Sequence, residues 1–132
     1  MSETLHRRPT VAVVGASSDR RKFGNKSVRA HAAAGFDVFP VHPTEITVEG
    51  LACVRTLADV PTPLDRVSVY LPPAVTLGLL ESWAAVPFGE LWLNPGADGT
   101  VVVARAHELG LRVVCACSIV DVGFSPAQFA DA

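Results

Sequence analysis

The stretch that decides the fold covers residues 10–18 and reads Thr10-Val11-Ala12-Val13-Val14-Gly15-Ala16-Ser17-Ser18. Its first half is a short β-branched run, which predicts a fully buried strand. Gly15 at the end of the run lets the backbone turn tightly, and the amides that follow can form an anion site with the next helix. The stretch therefore predicts a phosphate-binding loop between the first strand and the first helix.

Strand and helix patterns alternate along the rest of the chain. We expect strands at 10–14, 36–41, 65–71, 90–93 and 111–116, and helices at 25–34, 74–86 and 101–109. Residues 46–50 read as an edge strand or a turn, 56–60 as one helical turn, and 121–132 as irregular chain or a short helix. Such alternation predicts an α/β protein of Rossmann-like, doubly wound architecture. The sheet would be mostly parallel, with about five strands and helices on both faces.

Length and composition fit this architecture and narrow the partners. The 132 residues predict a single domain, and a hydrophobic content of 49% suits a sheet covered on both faces. The net charge of −2 gives no general attraction to nucleic acid or to an anionic membrane. No apolar run reaches the ~18–20 residues that span a bilayer, and residues 1–9 are too polar for a secretion signal. We expect a cytoplasmic protein.

The loop after the first strand is rich in groups that can hold an anion. Hydroxyl donors and cations follow the glycine in the order Ser17, Ser18, Arg20, Arg21 and Lys22. Gly24 and Asn25 then mark the helix entry, with Asn25 the candidate N-cap. The alternative interpretation is a solvated turn whose charges face water.

The spacing of this loop differs from a dinucleotide fingerprint. That motif would place glycines at 17 and 20, where Ser17 and Arg20 stand. The second strand also ends in Val41-His42-Pro43, without the carboxylate that accepts a hydrogen bond from a ribose hydroxyl. This weakens the case for NAD and leaves room for a ligand with an extra phosphate, to which His42 could donate. A solvated loop histidine is the alternative.

Two further loops follow predicted strands, and both are rigid with apolar edges. Pro72-Pro73 comes after the third major strand, and Asn94-Pro95-Gly96 comes after the fourth. Together they could form a slot for a flat base or an acyl arm, although each is also an ordinary chain breaker. The helix between them is expected to bury Leu77, Leu80 and Ala84 on one side.

The three cysteines do not predict a disulfide framework, because their number is odd. Cys115 and Cys117 alternate along the last apolar run. Both should therefore point to one face of the last strand as small buried side chains. A metal or redox pair is the alternative interpretation.

Seven segments of the chain, in order, carry the motifs of a known family. They read Val13-Val14-Gly15-Ala16-Ser17 with Lys22-Phe23-Gly24-Asn25, Gly35-Phe36-Asp37-Val38-Phe39-Pro40-Val41-His42-Pro43, Glu49-Gly50-Leu51-Ala52-Cys53, Leu71-Pro72-Pro73, Leu91-Trp92-Leu93-Asn94-Pro95-Gly96-Ala97 and Cys117-Ser118-Ile119. With these motifs the chain resembles the stand-alone CoA-binding domain family, which is similar to the CoA-binding domain of the succinyl-CoA synthetase α subunit. The resemblance covers about residues 9–122, the expected core of the domain.

The resemblance implies that the loop at residues 15–25 holds the pyrophosphate and the ribose phosphate of coenzyme A. It also implies that the adenine lies near residues 41–43 and 71–73. The candidate ligand-binding residues are therefore Gly15, Ala16, Ser17, Ser18, Arg21, Lys22, Gly24, Asn25, His42, Pro43, Leu71, Pro72, Pro73, Asn94, Pro95 and Gly96.

We thus expect a small protein that binds CoA or acyl-CoA without catalysis, as a monomer or a homodimer. No nucleophile–base pair is predicted at the edge, because His6 lies in the N-terminal tail and His31 and His107 lie in helices. One alternative is an NAD(P)-dependent oxidoreductase or a CoA-ligase fragment. Another is a ligand-free regulatory or subunit partner that docks through Trp83, Phe124 and Phe129.

Overall fold

The helices and strands of the computed structural model, which describes residues 7–132, follow the expected alternation. The elements are β1 (Thr10–Val14), α1 (Phe23–Ala33), β2 (Asp37–Val41), β3 (Thr47–Val48), β4 (Leu51–Ala52), β5 (Leu64–Val69), α2 (Pro73–Trp83), β6 (Phe88–Leu93), α3 (Thr100–Glu108), β7 (Val113–Cys115) and α4 (Ser118–Asp121). Single 3-10 turns lie at Leu57–Asp59 and Pro126–Gln128. The expectations for His6 and for the polar start of the chain fall outside the described residues.

Five strands form one parallel sheet in the order β2-β1-β5-β6-β7. The chain moves from β1 outward to β2 and then returns to the other side of β1 to form β5. This reversal is the switch point at which open α/β sheets bind their ligands. The short strands β3 and β4 pair separately as an antiparallel hairpin. The doubly wound, parallel architecture predicted from the sequence is therefore confirmed.

Helices cover both faces of the sheet, and alternate residues of β1 show the division. Ala12 and Val14 belong to the core under α2 and α3, whereas Val11 and Val13 belong to the core under α1. Neighbouring side chains of a strand point to opposite faces, so a strand that is apolar at every position is buried on both sides. The continuous apolar run at residues 11–14 therefore correctly indicated a central strand.

The buried face of α2 differs from the prediction. Its buried residues are Thr76, Leu80 and Trp83, whereas Leu77 is 38% exposed and Ala84 is also exposed. Trp83 is only 4% exposed, so the prediction of a docking surface around it is wrong. The buried face of α2 was predicted wrongly because it includes Thr76, one turn before Leu80. A polar residue at this position does not fit the apolar pattern from which the face was predicted.

The second tryptophan lies on the opposite side of the sheet. The Arg66 guanidinium is 4.5 Å from the centroid of the Trp92 ring and forms an ion pair of 2.9 Å with Asp121 of α4. Phe36 lies near the same guanidinium, at 5.2 Å. This cation–aromatic stack joins α4 to β5 and β6 on the α1 side of the sheet.

The cysteine prediction is wrong for the end of the last strand. β7 ends at Cys115, which is exposed, and Cys117 lies beyond a bend at the start of α4. The two cysteines therefore do not belong to the same strand, and their alternation in the sequence does not place them on one face. Between residues 7 and 132 no group of three or more His, Cys, Asp or Glu side chains is placed to hold a metal ion. No helix in the same range is long and apolar enough to cross a membrane.

Candidate functional site

A cavity of about 900 Å³ opens at the carboxyl edge of the sheet, beside the switch point between β1 and β5. Loops that follow four strands supply its walls, and the wall residues include Gly15 after β1, His42 after β2, Pro72 after β5 and Gly96 after β6. The cavity has the size of a small-molecule or cofactor site. It is the place where a ligand of this fold is expected.

Most of the candidate ligand-binding residues line this cavity. They are Gly15, Ala16, Ser17, Arg21, Lys22, Gly24, His42, Pro43, Leu71, Pro72, Pro73, Pro95 and Gly96. Three candidates, Ser18, Asn25 and Asn94, are not brought to the cavity wall. Each of these three has a different set of partners, described below.

Two glycines shape the first loop. Gly15 has a φ of 87°, the left-handed conformation that glycine adopts without a steric penalty. Gly24, in the first turn of α1, lies against it so closely that a Cβ on Gly24 would be 2.2 Å from the Gly15 carbonyl oxygen. The helix can approach the end of β1 at this distance only because residue 24 has no side chain.

Four residues that line the cavity have backbone N–H groups without a protein acceptor. Within the described chain, the N–H groups of Ala16, Ser17, Phe23 and Gly24 donate to no backbone or side-chain oxygen, and all four residues line the cavity. Phe23 and Gly24 begin the 11-residue helix α1, whose dipole places partial positive charge at this end. A phosphate group is the ligand that such an arrangement can bind.

Two of the loop's three cations are neutralised by acids, one from the β3–β4 hairpin and one from the loop itself. Arg20 forms an ion pair with Glu49 at 3.1 Å, and Arg21 forms one with Asp19 at 2.9 Å. The hydrogen bonds from Arg21 hold the pKa of Asp19 down at about 2. Lys22 forms no ion pair with the acids of residues 7–132, so the predicted cluster of three cations reduces to Lys22 at the cavity wall.

Asn25 is not the N-cap of α1. The helix begins two residues earlier, at Phe23, and Lys22 occupies the N-cap. The buried Asn25 amide donates to the Ser17 carbonyl at 2.9 Å and to the Glu49 carboxylate at 3.0 Å. Asn25 therefore holds the loop in position through hydrogen bonds made outside the cavity.

Ser18 points away from the cavity, towards the segment that follows β2. Its backbone N–H and its hydroxyl both donate to the Glu45 carboxylate, and these hydrogen bonds lower the pKa of Glu45. The loop is also bound to the β3–β4 hairpin, through the contact between Arg20 and Glu49. The two-residue turn of this hairpin places Glu49 at a φ of 50° and Gly50 at 78°. Positive φ is unusual for glutamate, and the two-pronged contact with Arg20 holds it there.

His42 lines the cavity in a defined tautomer. Its Nδ1 accepts hydrogen bonds from the backbone N–H groups of Thr44, at 3.1 Å, and Glu45, at 2.9 Å. Since Nδ1 is an acceptor, the proton of the neutral ring is on Nε2, which can donate. Arg55 lies beside it and also lines the cavity, although no motif of the sequence singles it out.

Asn94 is turned into the protein interior. Its amide nitrogen donates to the Ser68 hydroxyl at 2.9 Å, and its oxygen accepts from the Ser118 N–H at 2.8 Å. The Tyr70 hydroxyl, 3.0 Å from the Ser118 hydroxyl, extends this network, and burial raises the pKa of Tyr70. Asn94 is 1% exposed and thus joins β5, β6 and α4 instead of contacting a ligand.

The cavity also has an apolar part that the sequence did not reveal. Phe23 at the start of α1 and Val75 and Leu79 on α2 line it, with 55%, 48% and 36% of their surface exposed. Exposed apolar side chains that are grouped at one surface, as these are at the cavity, are typical of a ligand-binding groove. The cavity thus combines a polar region, at the loop after β1 and at His42, with an apolar region between α1 and α2.

Known proteins are similar to this chain in sequence or in structure. The protein YneT of Bacillus subtilis is 25% identical over 114 residues, which cover 86% of this chain and 84% of that protein. A conserved hypothetical protein of Pyrococcus furiosus superposes with a TM-score of 0.76 at 28% identity and covers 87% of this chain and 99% of its own. The apo form of an acetyl-coenzyme A synthetase from Ca. Korarchaeum cryptofilum superposes with a TM-score of 0.71 at 28% identity. The match covers 86% of this chain but only 27% of the synthetase.

A family model described as a CoA binding domain matches residues 9–122. The matched range begins just before β1 and ends just after α4. It therefore contains all five strands of the parallel sheet and every loop that lines the cavity.

Proposed function

This chain belongs to the CoA-binding domain family, and we propose that it is a small non-catalytic protein that binds CoA or acyl-CoA. In this proposal the ligand occupies the cavity at the switch point, with its pyrophosphate at the loop after β1. The adenine lies near His42 and Pro72, and the pantetheine arm extends along the apolar region.

The observation that carries the proposal is the set of four unpartnered amides at Ala16, Ser17, Phe23 and Gly24. Backbone donors at the start of a helix, together with the charge of Lys22, favour a diphosphate over an uncharged ligand. The paired arginines add little charge of their own, so the affinity would come from the amides and from Lys22. The apolar wall formed by Phe23, Val75 and Leu79 suits an aliphatic arm.

The absence of catalysis is part of the proposal and rests on the polar side chains that line the cavity. Ser17 Oγ accepts a hydrogen bond from the Asp19 N–H, and His42 Nδ1 accepts two backbone N–H groups. In the described part of the chain, neither side chain is hydrogen-bonded to the other as nucleophile and base. A hydrolase or transferase of the nucleophilic type needs that contact.

Calorimetric titration of the protein with CoA and acetyl-CoA tests the proposal. We expect saturable binding of both, and a roughly tenfold weaker affinity for the Lys22→Ala variant, as the loss of one charge-assisted hydrogen bond predicts. Arg112→Ala is the matched control, because Arg112 is exposed just before β7, at the opposite edge of the sheet. Absence of heat with either ligand at millimolar concentration would overturn the proposal. NADH and NADPH in the same titration test the dinucleotide alternative.

A further inference from the structure

Arg55 is held beside the carboxyl end of β2 by backbone hydrogen bonds. Val54 forms a parallel bridge with Val41, its N–H donates to the Pro40 carbonyl, and its carbonyl accepts from the His42 N–H, both at 3.0 Å. The residue that follows Val54 therefore has a fixed place next to His42. The β3–β4 hairpin separates this segment from β2 in the sequence. Arg55 therefore reaches the cavity through the tertiary pairing of Val54 with Val41.

The Arg55 side chain differs from the other arginines near the cavity. Arg20 and Arg21 each form a two-pronged ion pair with a carboxylate, whereas Arg55 forms no ion pair with the acids of residues 7–132. Its Nη1 donates to the His42 carbonyl at 3.1 Å. A guanidinium has five N–H donors, so most of them stay available to a ligand in the cavity.

The end of β2 is where folds of this type read the ribose of a nucleotide. A carboxylate there accepts from ribose hydroxyls, and an arginine nearby accommodates a ribose phosphate. His42-Pro43 supplies no carboxylate, and Glu45 is engaged by Ser18. Arg55 and His42 both line the cavity at this end, and the guanidinium and the Nε2–H are both donors suited to an anion.

We propose that Arg55, assisted by His42, binds a phosphate monoester on the adenosine ribose and thereby selects ligands that carry it. The cavity then has two separate anion subsites, with the pyrophosphate at Lys22 and the four amides and the ribose phosphate at Arg55. The family resemblance alone assigned both phosphates to the loop after β1. The inference rests on the proposed function, in which the group is the 3′-phosphate of CoA. The 2′-phosphate of NADP has the same chemistry.

Calorimetry with CoA and dephospho-CoA, which differ only in that phosphate, tests the assignment. We expect the unmodified protein to prefer CoA on the order of 10–100-fold, the range expected for charge-assisted bonds from a guanidinium. Arg55→Ala should remove this preference and leave the affinity for dephospho-CoA almost unchanged. Arg55→Lys should keep part of it, and the control Arg112→Ala should keep all of it.

The outcomes separate this inference from the proposed function. Equal affinity of the unmodified protein for CoA and dephospho-CoA would overturn the role of Arg55 and leave CoA binding intact. An Arg55→Ala variant that weakens both ligands equally would overturn it too, because Arg55 would then only support the His42 loop. Titration with NADPH and NADH distinguishes the source of the phosphate. A preference for NADPH that depends on Arg55, without CoA binding, would support the subsite and overturn the proposed function.

Discussion

The loop after β1, residues 15–22, and the loop after β6, residues 94–99, leave the same edge of the sheet and both combine glycine with polar side chains. In the first loop, the Ser17 hydroxyl and the Asp19 carboxylate accept hydrogen bonds from the N–H groups two residues further on, and the N–H groups of Ala16 and Ser17, which line the cavity, have no protein acceptor. In the second loop the backbone turns at the cavity wall, while the Asn94 side chain is buried with partners on both its nitrogen and its oxygen.

The difference distinguishes a loop with unpartnered donors at the cavity from a loop whose polar side chain is used within the fold. Polar residues after a strand are common to both loops, so residue type alone does not separate them. What separates them is the location of the unsatisfied donors, since a ligand can stabilise only groups that lack a protein partner. The first loop keeps such donors at the cavity, and the second has used its amide side chain to hold β5, β6 and α4 together.

The largest effect is expected at the first loop from Gly24→Ala. The new Cβ would lie 2.2 Å from the Gly15 carbonyl oxygen, so β1 and α1 must move apart. We expect a loss of about 3 kcal/mol or more in the free energy of unfolding, measured by urea denaturation, and no detectable CoA binding. Gly78→Ala is the control, because its Cβ would meet nothing within 4 Å in the middle of α2. That variant should gain about 0.5–1 kcal/mol. Equal behaviour of the two variants would refute the close approach.

Replacement of Asn94 should affect stability without a selective effect on the ligand. Asn94→Ala leaves the buried Ser118 N–H without its acceptor and removes one of the two partners of the Ser68 hydroxyl, which predicts a loss of about 2–4 kcal/mol in the free energy of unfolding. The matched variant is Asn25→Ala, which frees the Ser17 carbonyl of the first loop and should weaken CoA binding. Both are measured at a temperature where the variants remain folded. If Asn94→Ala weakens CoA binding as much as Asn25→Ala does, the two loops do not differ as described.

The smallest expected effect is a difference between the two loops in how their amide protons respond to acid. In the first loop the Ser18 and Arg21 N–H groups donate to Glu45 and Asp19, whose pKa values are lowered, that of Asp19 to about 2. Because folding lowers these pKa values, the hydrogen bonds are fully present above about pH 4.5 and are lost as the pH falls through the folded values. In an NMR titration, the Ser18 and Arg21 amide protons should shift below pH 4.5. The Ser118 amide proton, which donates to the non-titrating Asn94, should stay constant.

The strands could be predicted because each follows from a local run of apolar residues. The position of the candidate site could be predicted because it follows from the architecture that these strands form. A fully apolar run such as residues 11–14 indicates a central strand, and the carboxyl edge of a doubly wound sheet indicates where ligands bind. Gly15 and Gly24 could be singled out from their positions at the strand end and the helix entry. The direction of the Asn94 side chain could not, because Ser68 and Ser118 are far from it in sequence.

Arg55 shows a second reason for the limits of prediction. Residues 44–63 have no regular periodicity, so nothing in their pattern indicates that Val54 pairs with Val41. Asn25 shows a third, since the helix begins at Phe23, where no capping side chain is present. The exposed positions of Phe23, Val75 and Leu79 also depend on how α1 and α2 sit at the sheet edge. In each of these cases the deciding contact is tertiary.

The two tryptophans lie on opposite sides of the sheet, so the layer on each face of the sheet contains one intrinsic fluorophore. Trp83 is enclosed by aliphatic side chains under α2 and α3, whereas Trp92 lies beneath the Arg66 guanidinium on the α1 side. A ring in hydrocarbon and a ring stacked under a cation have different electrostatic surroundings. Proteins with one tryptophan, made by Trp83→Phe or Trp92→Phe, can therefore follow the melting of the two layers as separate signals. Any difference between their melting curves would measure how cooperatively this small sheet joins its halves.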